Sequence, residues 1–329
     1  MSYELVWFKR DLRWQDHAAL AQAALRGPVR CIYVVEPELW LQPDAALQHF
    51  EFVRESLQAL DDALRLQGGC VEVHMGELPD VLSRIWQAAP FRQLHAHQET
   101  GNGFTYARDL RVGAWCQAHN VGWHEYPQFG VVRVLKNRNL WQPAWERHMT
   151  EPVQDVGDLQ FWQPLEHAAS HCDMPEPWRG AWCTPSQMQA PSHLQHNPPL
   201  RQRGGRPLAL DTLHSFLHAR SLGYRGGISS PLSAPDACSR LSAYLALGCI
   251  SMREVVQHTR AHIAQLPPQA SRHRAGLTAF ISRLYWHCHF IQKLESEPAI
   301  EWQNMHRGYD GLREHDFNEA HFEALKAAR

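Results

Sequence analysis

The sequence has no CxxC pair, although it holds 8 cysteines, at positions 31, 70, 116, 172, 183, 238, 249 and 288. This scatter fits neither a zinc site nor a disulfide framework, and it gives no four thiolates that converge on an iron–sulfur cluster. The thiols read as buried and free, in a reducing compartment. No unbroken apolar run is long enough for a membrane span, and Met1-Ser2-Tyr3-Glu4 lacks the charged-then-apolar opening of a signal peptide. No membrane association and a cytoplasmic location are therefore expected. No GxGxxG follows the first apolar strand, which removes the main support for a nicotinamide-dependent dehydrogenase. A net charge of −2 excludes a generally basic nucleic-acid binder. Charge is uneven, however: residues 201–329 hold about 16 Lys and Arg against about 11 Asp and Glu. A polyanionic partner and ordinary surface charge explain that excess equally well. The 13 tryptophans point either to stacking surfaces or to a large aromatic core.

What is present falls into two halves. Glu4 to Phe8 reads as a buried strand, followed by the polar turn Lys9-Arg10-Asp11-Leu12-Arg13 and a helix from His17 to Arg26 with Asp16 as its N-cap. Strands then alternate with helices: Val29–Val35, helix 46–67, Cys70–His74, Leu78–Ala88, Gln93–Ala96, Tyr106–His119 and Val121–Glu125. This order argues for an α/β domain with a parallel Rossmann-like sheet, whose ligands sit at the carboxyl ends of strands. From Pro207 onward only helices are convincing, at Leu208–Arg220, Ser239–Leu247, after a capping box at Ser251–Glu254, and at Ser271–Leu294. Leu277, Phe280, Ile281, Leu284, Cys288 and Ile291 mark the core face of that long helix. The expected organisation is an α/β domain at 1–135, a connection at 136–206 that is least regular from 151, and an all-α domain at 207–329.

Two serines and an arginine, Ser239, Arg240 and Ser242, fall at the expected opening turn of one helix. Free N–H groups, hydroxyls and a guanidinium there suit a phosphate or diphosphate, while an ordinary helix cap accounts for the same residues. Arg283, Trp286, His287 and Phe290 recur at helical spacing on a second face of the long helix. Such a basic and aromatic stripe either stacks on an unpaired base or is buried between helices. His287-Cys288-His289 is not a metal site, because adjacent helical side chains diverge by about 100°. The Arg10–Arg13 turn reads as structural, fixed by an internal salt bridge.

The run from Ser239 to Val255 resembles the flavin-binding signature of the photolyase/cryptochrome family, and Leu5 to Arg13 with Asp16, Ala19 and Leu20 resembles that family's opening strand and turn. The resemblance spans essentially the whole chain and weakens in the connection. It implies an all-α domain that holds FAD, here incomplete. It places Cys238, Ser239, Arg240, Leu241 and Ser242 on the loop that holds the FAD diphosphate, with Tyr224 as the tyrosine that precedes it. Cys238 stands where threonine is usual. On the long helix Phe280 replaces a tryptophan at a flavin position and Arg283 an acid; Trp286 keeps the second tryptophan, and His287 replaces an arginine. Arg283, Trp286, His287 and Phe290 are the expected DNA contacts.

The implied activity is that of a deoxyribodipyrimidine photo-lyase acting on UV-damaged DNA under blue light, with no catalytic residue assigned. A second, antenna chromophore of folate or deazaflavin type is expected near the strand ends. The alternatives are a cryptochrome-like photoreceptor with a signalling partner, favoured by Arg283, and an inactive remnant. By the resemblance, the flavin-facing residues would follow Arg329, so weak FAD binding and an uncovered apolar face are expected.

Overall fold

The protein is described by a computed structural model over residues 2–162 and 183–327. Cys172 and the rest of 163–182 lie outside the described residues. Five parallel strands, β1 (Glu4–Phe8), β2 (Val29–Val35), β3 (Val71–Met75), β4 (Gln93–His97) and β5 (Gly122–Tyr126), form one sheet in the order β3-β2-β1-β4-β5. The order reverses beside β1, which opens a crevice at the carboxyl ends of β1 and β4. Both faces of the sheet are covered at its centre, and β1 and β2 read as near-continuous apolar runs. On one face Val6 and Phe8 pack with helices α1 (Ala18–Ala24) and α3 (Leu47–Arg65). On the other, Leu5 and Trp7 pack with α4 (Leu78–Ala88) and α5 (Gly103–Ala118). A short α2 (Pro37–Trp40) follows β2.

Two local readings of the sequence need correction. Asp16 is not the cap of α1: it takes a left-handed backbone, φ 48°, and His17 caps instead, accepting the Leu20 N–H at Nδ1. Asp16 turns outward from the helix and accepts from Arg253 and from the Gln154 N–H. The Arg10–Arg13 turn is not held by an internal salt bridge either. Asp11 accepts the Lys9 N–H at one oxygen and N–H groups from His17 and His97 at the other, 3.0 and 2.7 Å away. Burial opposes its charge, but the two imidazoles outweigh it and hold the carboxyl well below its ordinary range. Arg13 donates to the Gly248 and Asp16 carbonyls.

The second half is helical. α6 (Trp141–Thr150), within the stretch read as a connection, joins α7 (Arg206–His218), α8 (Ser242–Ala246), α9 (Met252–Gln265), α10 (Ser271–Ser296) and α11 (Glu319–Lys326). Trp141, Trp145, Phe216, Leu241, Leu277 and Phe280 share its core. The capping box at Ser251 and Glu254 opens α9 as the sequence dictates. On α10 the buried stripe runs Leu277, Phe280, Leu284, Cys288 and then Gln292, not Ile291; Ile281 is only partly buried. The Gln292 amide donates to the Val132 carbonyl and accepts its N–H, so a polar residue completes the stripe. Beyond α10, Trp302, Tyr309, Leu312, Phe317 and Leu325 are exposed.

The halves meet through backbone as well as side chains. Leu12 N–H donates to the Leu247 carbonyl at 3.0 Å. Gly248, at φ +63°, lies so close that a Cβ there would strike the Arg10 carbonyl oxygen. This contact places the end of α8 beside the turn that follows β1.

Candidate functional site

The loop Cys238–Ser242 is held from behind by residues that its own sequence does not reveal. Arg220, just past α7, donates to the carbonyls of Cys238, Ser239 and Thr212, and its Nε to Ser215. Gln202 donates to the Arg240 carbonyl at 2.8 Å. With these carbonyls engaged, Arg240 adopts a left-handed backbone, φ 61°. Helix α8 begins only at Ser242 and has 5 residues, so Ser239 and Arg240 precede the helix rather than form its first turn. Cys238 and Ser239 are half-buried, Leu241 is buried, and Arg240 and Ser242 are exposed.

Arg240 makes no ion pair among the described residues. Burial and then the nearby Arg240 lower the pKa of Arg220. The Arg240 guanidinium and two serine hydroxyls, on a backbone fixed by Arg220, fit a diphosphate. Tyr224 and Phe280 come together elsewhere. Both are buried in the helical core, 6.0 Å apart and each against Phe216, while Leu241 packs in the same cluster. The structure therefore joins Tyr224, Phe280 and Leu241 on the inner side of the loop, and sets Arg240 and Ser242 on its outer rim.

The stripe on α10 is exposed. The Arg283 guanidinium lies over the Trp286 ring at 5.2 Å, and Trp286 meets Phe290 edge to face at 5.9 Å. Trp286 is 49 % and Phe290 46 % exposed. His287 is half-buried against Phe129, and burial lowers its pKa. Three of the four residues thus form one solvent-facing surface, and His287 is its inner edge.

A cleft of about 600 Å³ runs between the halves. Trp7, Tyr33, Trp40 and Phe52 form its aromatic walls, and Arg10, Arg201, Arg240 and Ser242 line it as well. It opens at the carboxyl ends of β1, β2 and β4, where the topology places ligands. Lys9 and Arg108 flank the Trp7 ring at 4.5 and 4.8 Å. Arg108 contacts Glu99 at 2.6 Å, Asp109 at 2.9 Å and Glu36 at 3.0 Å. Burial would raise Glu99, but Arg108, Arg10 and Lys9 prevail and pull it down to about 2. Glu36, with weaker support, is pushed up by burial to about 7. Its Oε1 and the Trp40 Nε1 are buried without hydrogen-bond partners. An aromatic ring edge bearing both a donor and an acceptor fits these two groups. No spacing in the sequence announces the cleft, because its walls come from five separate segments.

Comparison with known proteins agrees with this architecture. The DNA photolyase family model matches residues 4–135. Cryptochrome-2 of Gallus gallus is 26% identical over 312 residues, covering 90% of this chain and 52% of the relative. A deoxyribodipyrimidine photo-lyase of Streptomyces griseus is 24% identical over 339 residues, 98% of this chain and 67% of the relative. An archaeal photolyase from Sulfolobus tokodaii, solved with two FAD molecules, shares the fold at a TM-score of 0.70 and 21% identity, over 97% of this chain and 65% of that one. The chain thus spans between 52% and 67% of the length of these relatives. Its α/β half thus matches the DNA photolyase family model, and the chain as a whole is similar in sequence and fold to photolyases and cryptochromes.

Proposed function

We propose that this protein serves in light-driven repair of UV-damaged DNA as a deoxyribodipyrimidine photo-lyase, with FAD as its cofactor and the cytoplasm as its compartment. The observation that carries the proposal is the Cys238–Ser242 loop, clamped by Arg220 and bearing unpaired positive charge. Ser239, Arg240 and Ser242 hold the diphosphate through hydroxyl and guanidinium donors. Cys238 supplies a weaker contact than the usual threonine would. Tyr224 and Phe280 shape the inner wall, with Leu241 packed between loop and core. FAD, when bound, supplies the light-driven electron that splits the pyrimidine dimer; the protein positions it and tunes it.

On the α10 face, Trp286 and Phe290 offer rings on which an extruded base stacks, and Arg283 and His287 face its phosphates and base edges. The interdomain cleft takes the second chromophore, of folate or deazaflavin type, against its aromatic walls. A photoreceptor is the second reading, and one observation favours it. Arg283 occupies the position where repair enzymes of the family carry an acid, and its guanidinium is engaged with Trp286.

A blue-light repair assay on an oligonucleotide with a single thymine dimer separates the two. Repair is expected with the FAD-loaded chain, and Trp286→Ala should reduce dimer-DNA affinity about tenfold, in line with the loss of one stacking contact. Light-dependent flavin chemistry without dimer splitting would instead establish the photoreceptor reading.

A further inference from the structure

A row of imidazoles lies on the helical half, apart from the loop, the α10 stripe and the cleft. His214 and His218 stand one turn apart on α7, both exposed, with ring centroids 4.3 Å apart. His262 of α9 packs edge-on against His218 at 4.5 Å. Its Nε2 is buried and has no hydrogen-bond partner. His273 of α10 follows at 5.3 Å, but its Nε2 donates to the Leu217 carbonyl at 2.7 Å, so that nitrogen is committed.

We infer that His214, His218 and His262 form a surface site for a divalent transition-metal ion of the zinc, nickel or copper class. Two histidines at i and i+4 on a helix face one ion from one side, a spacing that recurs in zinc sites on helices. The third imidazole comes from the facing helix and carries the unpartnered nitrogen. Imidazole donors suit this group of metals and do not suit magnesium or calcium. The three rings are packed against one another rather than aimed at a common point. His214 and His218 are exposed, and no side-chain hydrogen bond among the described residues holds either ring, so both are free to turn toward a shared ion.

A different group comes closer in distance but fails chemically. Asp11, His17 and His97 have ligand atoms within 4.8 Å of one another. There, the short contacts are hydrogen bonds: His17 and His97 both donate to Asp11, and the second nitrogen of His17 accepts from Leu20. An ion would break these bonds in a sealed core. The α7–α9 site has no such cost. It also has a structural consequence, because an ion there ties α7 to α9. α7 carries Thr212, whose carbonyl shares Arg220 with the Cys238–Ser242 loop.

Isothermal titration of the untagged, purified chain with nickel chloride and with zinc chloride at pH 7.5 tests the inference. One ion per chain is expected, with affinity lowered at least tenfold in His214→Ala and in His218→Ala. Both positions are exposed, so circular dichroism and the metal-free melting temperature should match the parent. Cobalt loading distinguishes ligand types: imidazole ligation gives visible bands without the near-ultraviolet thiolate charge-transfer band. No binding, unchanged affinity in both variants, or a thiolate band would each overturn the site.

Discussion

Glu36 shows how one buried network divides its charge among competing acids. Arg108 is shared by Glu36, Glu99 and Asp109, and the shortest contact goes to Glu99. Glu99 stays ionised, and Glu36, pushed up to about 7, is the acid that takes a proton. A carboxyl raised in this way contributes stability in its neutral form. That contribution is complete below the ordinary carboxyl value of 4.5 and is lost as pH rises through about 7. Denaturant unfolding should show stability falling between about pH 5 and pH 8 by on the order of 1–3 kcal/mol, and Glu36→Gln should remove most of that slope. An equal slope in the variant would mean that Glu36 is ionised throughout. Cys238 is a second single-residue case. Cys238→Thr restores a hydroxyl donor to the loop and should tighten FAD binding several-fold, as equilibrium dialysis would show. Neither Glu36 nor Arg220 was legible in the sequence, since each owes its role to partners that are remote in the chain. Cys238, Ser239, Arg240 and Ser242 were legible because they sit together in a motif.

Among the elements, the legible ones carry their own signals. The capping box at Ser251 and Glu254 fixes where α9 begins, and it does so in the structure. The opening strand β1 and its neighbours follow from short apolar runs punctuated by glycine and proline. Helix α8 is the opposite case. Serine and leucine spacing suggests a helix from Ser239, yet the structure starts it at Ser242, because Arg220 and Gln202 draw the preceding carbonyls away. Such tertiary capture of carbonyls leaves no trace in the local sequence. Arg220→Ala should therefore free the loop and leave the rest of the helical core in place. FAD affinity is expected to fall at least tenfold, while far-ultraviolet circular dichroism changes little. The tight passage at Gly248 belongs to the same scale. Gly248→Ala adds a Cβ that meets the Arg10 carbonyl oxygen and Asp11 Cα, at a left-handed backbone. A loss of at least about 2 kcal/mol in unfolding free energy is expected. A melting temperature like that of the parent would show that the two halves are not in close contact there.

The molecule as a whole places two surfaces on the helical half: the α10 stripe and the cleft against the α/β domain, which the Cys238–Ser242 loop helps to line. The division into a parallel sheet and a helical second half was legible, since strand–helix alternation ends at β5 and only helices follow Pro207. The cleft was not, because it exists only once Leu12 and Gly248 bring the carboxyl ends of the strands against α8. The central claim is that the Cys238–Ser242 loop, with Arg220 behind it, binds the diphosphate of FAD. It is tested most directly by fluorescence titration of the purified chain with FAD and, in parallel, with riboflavin, which lacks the diphosphate. The account predicts saturable binding of one FAD, much weaker binding of riboflavin, and at least a tenfold loss of FAD affinity in Ser239→Ala with Arg240→Ala. Equal affinity for FAD and riboflavin, or FAD binding untouched by the double substitution, would contradict it.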